Sequence, residues 1–199
     1  MFPLRGAILL PRATLPLNVF EPRYLEMVDH ALRGDRLIGM IQPTQSEDSV
    51  LSPRLSQVGC AGKIVSFQET NDNRYLITLA GLCRFRLTGE MQSATAWRAG
   101  FCDFAPFAGD LAQQTDEDFP RERLLAALRA YLTTRDMKAD WKSVMTAPGE
   151  ALVNALAMMC PFDPVEKQAL LEAPSFQERA STLMTLLEMG GEAGPTTLN

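Results

Sequence analysis

The stretch RYLITLAGLCRFRL, Arg74 to Leu87, constrains the fold more than any other part of this chain. Beyond Gly81, the residues Cys83, Phe85 and Leu87 alternate with Arg84 and Arg86. That is the period of two that a β-strand with one buried and one basic face requires. A strand cannot stand alone, and the flanking sequence supplies partners. Arg36–Pro43 is apolar on both faces, as in a covered strand. Val58–Phe67 and Ala96–Phe104 read as two more strands, the first carrying glycines that permit a bend or bulge. Glu69–Asn73 is rich in Asn and Asp, which tolerate turn geometry. Several twisted strands with glycine bends, Gly81 among them, predict a small closed or half-closed barrel, because closure removes exposed edges.

Before these strands, residues 1–20 are apolar and interrupted by Pro3, Pro11 and Pro16. Proline lacks the N–H of a ladder, so this segment reads as one short strand followed by an extended loop pinned by its leucines. Pro22 suits a first helical turn, Tyr24, Leu25, Val28 and Leu32 form one stripe, and Gly34 marks the stop. After a loop at 105–118 the pattern becomes helical. Leu124, Leu125, Leu128, Tyr131 and Leu132 make one stripe, and Leu152, Val153, Leu156 and Met159 a second. Asp163 with Glu166, and Ser175 with Glu178, have capping-box spacing at two further helix starts. The last helix, with Leu183, Met184, Leu186 and Leu187, is expected to end at Gly190-Gly191. The reading is α+β: a β-rich part over 1–112 with one crossing helix, then a helical bundle over 113–199.

Charge and composition narrow the function. The net charge is −5. Residues 1–112 are neutral, with 11 basic and 11 acidic side chains, so the negative charge lies in the second half. Neither half offers the clustered cations of a nucleic-acid surface. Cys60, Cys83, Cys102 and Cys160 contain no CxxC pair and read as small buried apolar residues. His30 is the single histidine, with no G-x-S-x-G elbow to meet it. Lys63, Lys138, Lys142 and Lys167 are the only lysines, and none stands in a phosphate-loop motif. No spacing of His, Cys, Asp or Glu suits a metal. No catalytic residue, metal or cofactor is therefore expected. The start of the chain lacks a signal-peptide pattern, and the longest uncharged apolar run, Ala151–Phe162, is short for a membrane span, so the expected address is the cytoplasm.

Two features suggest binding. Leu9, Leu10, Leu15, Leu17 and Phe20 line the proline-stiffened N-terminal segment; left in solvent, they would form an apolar patch of the kind that marks an interaction site. Arg84 and Arg86, with Arg74 and Arg98 on neighbouring strands, would form a basic stripe able to grip a carboxylate or phosphate. The competing reading of each is structural: the leucines close the barrel, and the arginines pair with Glu69, Glu90 or Asp103 across strands.

The segments FPLRGAILLPRATLPLNVFEPRYLEMV, LIGMIQP, GCAGKIVSFQETNDNRYLITLAGLCRFRL and ALVNALAMMCPFDPVEKQALLEAPSFQERASTLMTLLE together resemble the N-terminal domain of the ATP-dependent protease Lon. They resemble more closely the stand-alone bacterial proteins made only of that domain. The resemblance implies a PUA-like β pseudo-barrel followed by a helical bundle, and a non-catalytic role in capturing unfolded or tagged polypeptides. A protease or chaperone that receives them is an implied partner. The oligomeric state is open, a dimer being one option. The phosphate-loop ATPase and the Ser–Lys peptidase domain of the full-length family have no counterpart in these residues. The alternative function is RNA binding, because PUA-like folds elsewhere bind RNA.

Overall fold

The computed structural model describes residues 1–44, 53–112 and 119–192. The chain divides into two compact units, Met1–Gln113 and Gln114–Asn199. The fold is mixed α+β, with the strands in the first unit and most of the helices in the second.

Among the described residues, the first unit is built around one six-stranded sheet. Its strands are β1 (Phe2–Pro3), β2 (Thr14–Val19), β3 (Leu37–Pro43), β4 (Leu55–Glu69), β5 (Tyr75–Met91) and β6 (Ala99–Asp103). β1 pairs with β3 in parallel, and every other pairing is antiparallel. β5 organises the sheet. One edge carries β4, and the other is shared by β2 against Tyr75–Ala80 and β6 against Arg86–Met91. The ends curl toward each other: the Met1 amine donates to the Arg98 carbonyl at 2.6 Å, next to β6.

The expected loop around Pro16 is a strand, and the reason lies in its place. β2 is at the rim of the sheet, paired only with β5. A proline is tolerated there because an edge strand leaves half of its N–H groups unused. The residues before β2 cross the sheet at a spot made flat by two glycines facing each other in register, Gly62 and Gly81. A Cβ on Gly62 would come within 2.6 Å of the Leu9 side chain, and one on Gly81 within 2.0 Å of the Leu10 carbonyl oxygen. Gly81 also donates to the Ala13 carbonyl and accepts from the Arg12 amide, both at 2.8 Å. Its glycine serves close approach by the crossing loop, and the register shift beside it leaves Leu82 as an extra residue on β5.

α1 (Pro22–Arg33) begins at proline, as expected, and buries Tyr24, Met27, Val28 and Ala31. Arg23 donates to Glu21 at 2.9 Å, and the Tyr24 ring packs 4.4 Å from Phe2. The segment read as a loop after residue 105 contains a 3-10 turn, Ala105–Leu111, that lies on β5.

The second unit contains, among the described residues, α2 (Arg121–Thr134), α3 (Trp141–Thr146), α4 (Gly149–Met159), α5 (Pro164–Glu172) and α6 (Phe176–Glu192). Its core holds Leu124, Leu128, Tyr131, Leu152, Val153, Leu170, Leu183 and Leu187. The Asp163/Glu166 box is complete, with the Glu166 carboxylate accepting the Asp163 amide at 2.7 Å, and at the next helix Ser175 Oγ accepts the Glu178 amide at 3.2 Å, the serine half of the second box. The Gly190-Gly191 stop does not act. α6 runs through it, because these glycines let α6 lie close to α2: a Cβ on Gly190 would meet the Tyr131 ring at 2.6 Å.

Candidate functional site

The residues singled out from the sequence separate into interior and surface. Leu9 and Leu10, in the segment that crosses the sheet, are fully sealed against it, so neither touches solvent or a bound chain. This corrects their reading as surface anchors; two glycines opened the room that buries them. Leu15 and Leu17 lie on the core-facing side of β2, opposite Leu79 and Ile77, and are half-buried. Phe20, one residue past β2, is 60% exposed.

The basic stripe does not assemble. Arg84 is buried, with Nε and Nη2 each donating at 2.8 Å to the two oxygens of Asp110, while its own amide donates to the same carboxylate at 2.9 Å. Its guanidinium also lies 4.8 Å from the Phe107 ring centre, and Arg12 Nη1 donates to the Asp110 carbonyl. The 3-10 turn thus covers the face that period-two alternation assigned to solvent. Arg98 pairs with Glu90 at 2.5 Å, one of the carboxylates named as a cross-strand partner, and Arg74 pairs with Asp72 at 2.9 Å. Arg86 is exposed, in register with Asp103.

What the structure brings together is a different surface. β4 and β5 form a hairpin arm at one end of the sheet, and residues 65–69 on its β4 side are all exposed. Val65 is 56%, Phe67 40% and Leu76 41% exposed. Register places Leu76 beside Gln68 and Asn18 on one face, and Phe67 beside Ile77 on the other. Phe20 joins this end of the sheet, its ring 5.7 Å from the Arg74 guanidinium. Phe67 meets Tyr75 edge-on at 5.0 Å. Of these, sequence reading named only Phe20. Leu76 lies on the outer face of β5 with Thr78, and Phe67 lies at the uncovered edge of the inner row, opposite the buried Ile77.

Nucleophilic chemistry has weak footing here. Burial pushes the thiols of Cys60 and Cys83 above their ordinary value, and that of Cys160 up to about 11. Cys102 is raised as well, again by desolvation. The thiolate is the reactive form, so all four are poor nucleophiles at neutral pH. His30 is exposed on α1, its ring 5.4 Å from that of Trp97. Lys167 donates to the Met158 carbonyl at 2.9 Å and is held below its usual pKa by burial. Among the described residues, no three His, Cys, Asp or Glu side chains cluster as a metal site, and no helix is long and apolar enough to cross a membrane.

Comparison with known proteins agrees with this geometry. The profile of the ATP-dependent protease La (LON) substrate-binding domain matches residues 1–189. Lon protease 1 of Bdellovibrio bacteriovorus is 26% identical over 203 residues, a match that spans 94% of this chain and 24% of that protein. Lon protease 2 of Sorangium cellulosum is 34% identical over 89 residues, 44% of this chain and 11% of that protein. The chain therefore spans about a quarter or less of these relatives. In fold it is similar to the crystal structure of a Lon N-terminal domain protein from Xanthomonas campestris, with a TM-score of 0.62 at 23% identity, covering 92% of this chain and 95% of that one. The N-terminal domain of Mycobacterium avium complex Lon protease gives a TM-score of 0.58 at 13% identity, covering 94% of each chain.

Proposed function

Because this chain belongs to the ATP-dependent protease La (LON) substrate-binding domain family, we propose that it is a cytoplasmic binding module for non-native polypeptide segments and performs no hydrolysis itself. The observation that carries this reading is the apolar arm: Val65, Phe67 and Leu76 on β4 and β5, joined by Phe20, all exposed at one end of the sheet and spread over both of its faces. Unfolded chains expose apolar residues that native chains bury, so a solvent-facing apolar surface of this kind recognises the unfolded state without needing a sequence. β2 adds a second element. As an edge strand it offers main-chain groups to an extended segment, and such pairing is also indifferent to sequence. Leu15 and Leu17, half-buried on β2, support the strand from beneath.

In this reading the module hands its bound chains to a separate protease or chaperone. RNA binding is not favoured, because three of the four cations that would have formed the stripe, Arg74, Arg84 and Arg98, are held by carboxylates. The test is titration of a permanently unfolded, carboxymethylated lactalbumin into the protein and into a Phe20→Ser/Leu76→Ser variant, followed by fluorescence anisotropy. The expected outcome is saturable binding weakened about tenfold or more in the variant, at unchanged melting temperature. Equal affinity in the two proteins would remove the arm as the binding surface.

A further inference from the structure

The second unit contains a groove that the apolar arm does not explain. Its volume is about 460 Å³, and it is lined by Arg129, Leu132, Thr133, Met137, Lys138, Ala139 and Trp141. The sequence builds it in a definite way. α2 ends with Asp136 in a left-handed conformation, and the Met137 amide then donates back to the Leu132 carbonyl at 2.9 Å. This reversal lays residues 137–141 beside the last turns of α2. Arg129, Leu132 and Thr133, at i, i+3 and i+4, form one wall. The returning segment forms the other, with Trp141 half-buried at the start of α3.

Two properties set the groove apart. Its apolar surface comes from Leu132, Met137 and Trp141, of which the flexible Met137 thioether adapts to varied side chains and the indole offers a broad rigid face. Its charge is wholly positive, supplied by Arg129 and Lys138, in a unit that carries five more acidic than basic residues. The Arg129 guanidinium stacks over the Trp141 ring, 4.9 Å from its centre. Stacking fixes the plane of the guanidinium while leaving its in-plane N–H groups able to bond. Among the described residues, Arg129 and Lys138 form no ion pair. Other cations of the unit are committed: Arg121 to the Val144 and Met145 carbonyls, Arg123 to Glu188, Arg179 to Leu170 and Asn154. A preorientated fork with no carboxylate, above an apolar floor, is complementary to a carboxylate held beside a bulky apolar group.

We propose that this groove is a second polypeptide-binding site, which takes an internal client segment with a Glu or Asp next to a large apolar residue. The acidic side chain lies against Arg129 and Lys138, and the apolar one sits over Leu132 and between Met137 and Trp141. The inference deepens the polypeptide-binding reading and rests on it. The choice of an internal segment follows from that reading: an unfolded client presents acid–apolar pairs all along its length, whereas it has a single chain end.

Trp141 reports on the site directly. In a Trp97→Phe background it is the only tryptophan of the chain. Acetylated and amidated twelve-residue Gly/Ser peptides carrying central Glu-Leu, Gln-Leu or Glu-Ser are titrated while Trp141 emission is read. Glu-Leu is expected to change the emission saturably, with Gln-Leu and Glu-Ser each weaker by about tenfold, and Arg129→Gln or Lys138→Gln to remove the preference for Glu over Gln. A free-acid peptide ending in Leu, without Glu, serves as the arm for a chain terminus; if it binds more tightly than Glu-Leu, the internal-segment assignment falls. A Glu-Leu peptide that binds without altering Trp141, or binds equally to Arg129→Gln, overturns the groove while leaving the arm intact. Failure of these peptides and of the unfolded lactalbumin alike overturns both.

Discussion

Each unit buries arginine, but by opposite means. In the first, Arg84 is neutralised by a carboxylate 26 residues away, which joins a strand to the turn that covers it. In the second, Arg179 reaches the Leu170 carbonyl near the end of α5 and the amide oxygen of Asn154, and Lys167 reaches the Met158 carbonyl near the end of α4. The helical unit has carbonyls to spare, because the last four of each helix lack an internal donor, and helix C-termini favour cations. A sheet interior has none, since the ladder consumes them, so its buried cation must import an anion. The lesson is that the charge partner of a buried cation depends on the secondary structure around it, and that a sheet makes that partner a long-range one.

The largest test of this contrast is Asp110→Ala. It strands Arg84 in a buried site and is expected to cost about 3–5 kcal/mol in chemical denaturation, whereas Arg84→Met/Asp110→Leu together should recover most of the loss. If the single and double variants are equally unstable, the pair is not an isolated unit. Next comes Arg179→Met, which takes this donor from the Leu170 carbonyl and the Asn154 amide oxygen. A loss of about 1–3 kcal/mol is expected, and a second substitution at Asn154 should give no comparable rescue. Asp163→Ala, at the α5 cap, is expected to cost about 1 kcal/mol by the same assay. Lys167→Met should be smallest, because the lost bond to Met158 is offset by relief of desolvation. Its signature is in pH. Burial lowers the folded-state pKa below 10.5, so the unfolded chain holds its proton more firmly. The wild-type penalty is therefore fully present at neutral pH and fades as pH rises toward 10.5, a gain that Lys167→Met should lack. An identical alkaline profile in the two proteins would remove the contrast at this residue.

Much of the fold was legible because its signals are local. The alternation of Arg74–Leu87, proline at the start of α1 and the cap pairs of α5 and α6 each depend on residues within a few positions of one another. The failures are all long-range. Arg84 reads as exposed because nothing near it announces Asp110. Leu9 and Leu10 read alike whether docked or free, and only their contact with Gly62 and Gly81 decides. Gly190-Gly191 reads as a stop until Tyr131 is placed beside it. The candidate surface was the least legible part, because an apolar residue on the outer face of a strand, such as Leu76, or at the uncovered edge of an inner row, such as Phe67, reads like any core residue until its neighbours are placed.

The shared edge of β5 has a consequence in time. β2 and β6 occupy successive lengths of that edge, and Met1, which lies beside β6, bonds 97 residues along the chain. On a ribosome, β1 and β2 wait for β6, the last-made strand of their sheet, before Met1 can be locked beside it. Such late closure slows folding and leaves the leucine-rich segment before β2 uncovered during synthesis. A nascent copy of this protein thus passes through the kind of exposed state that the finished one is proposed to seize.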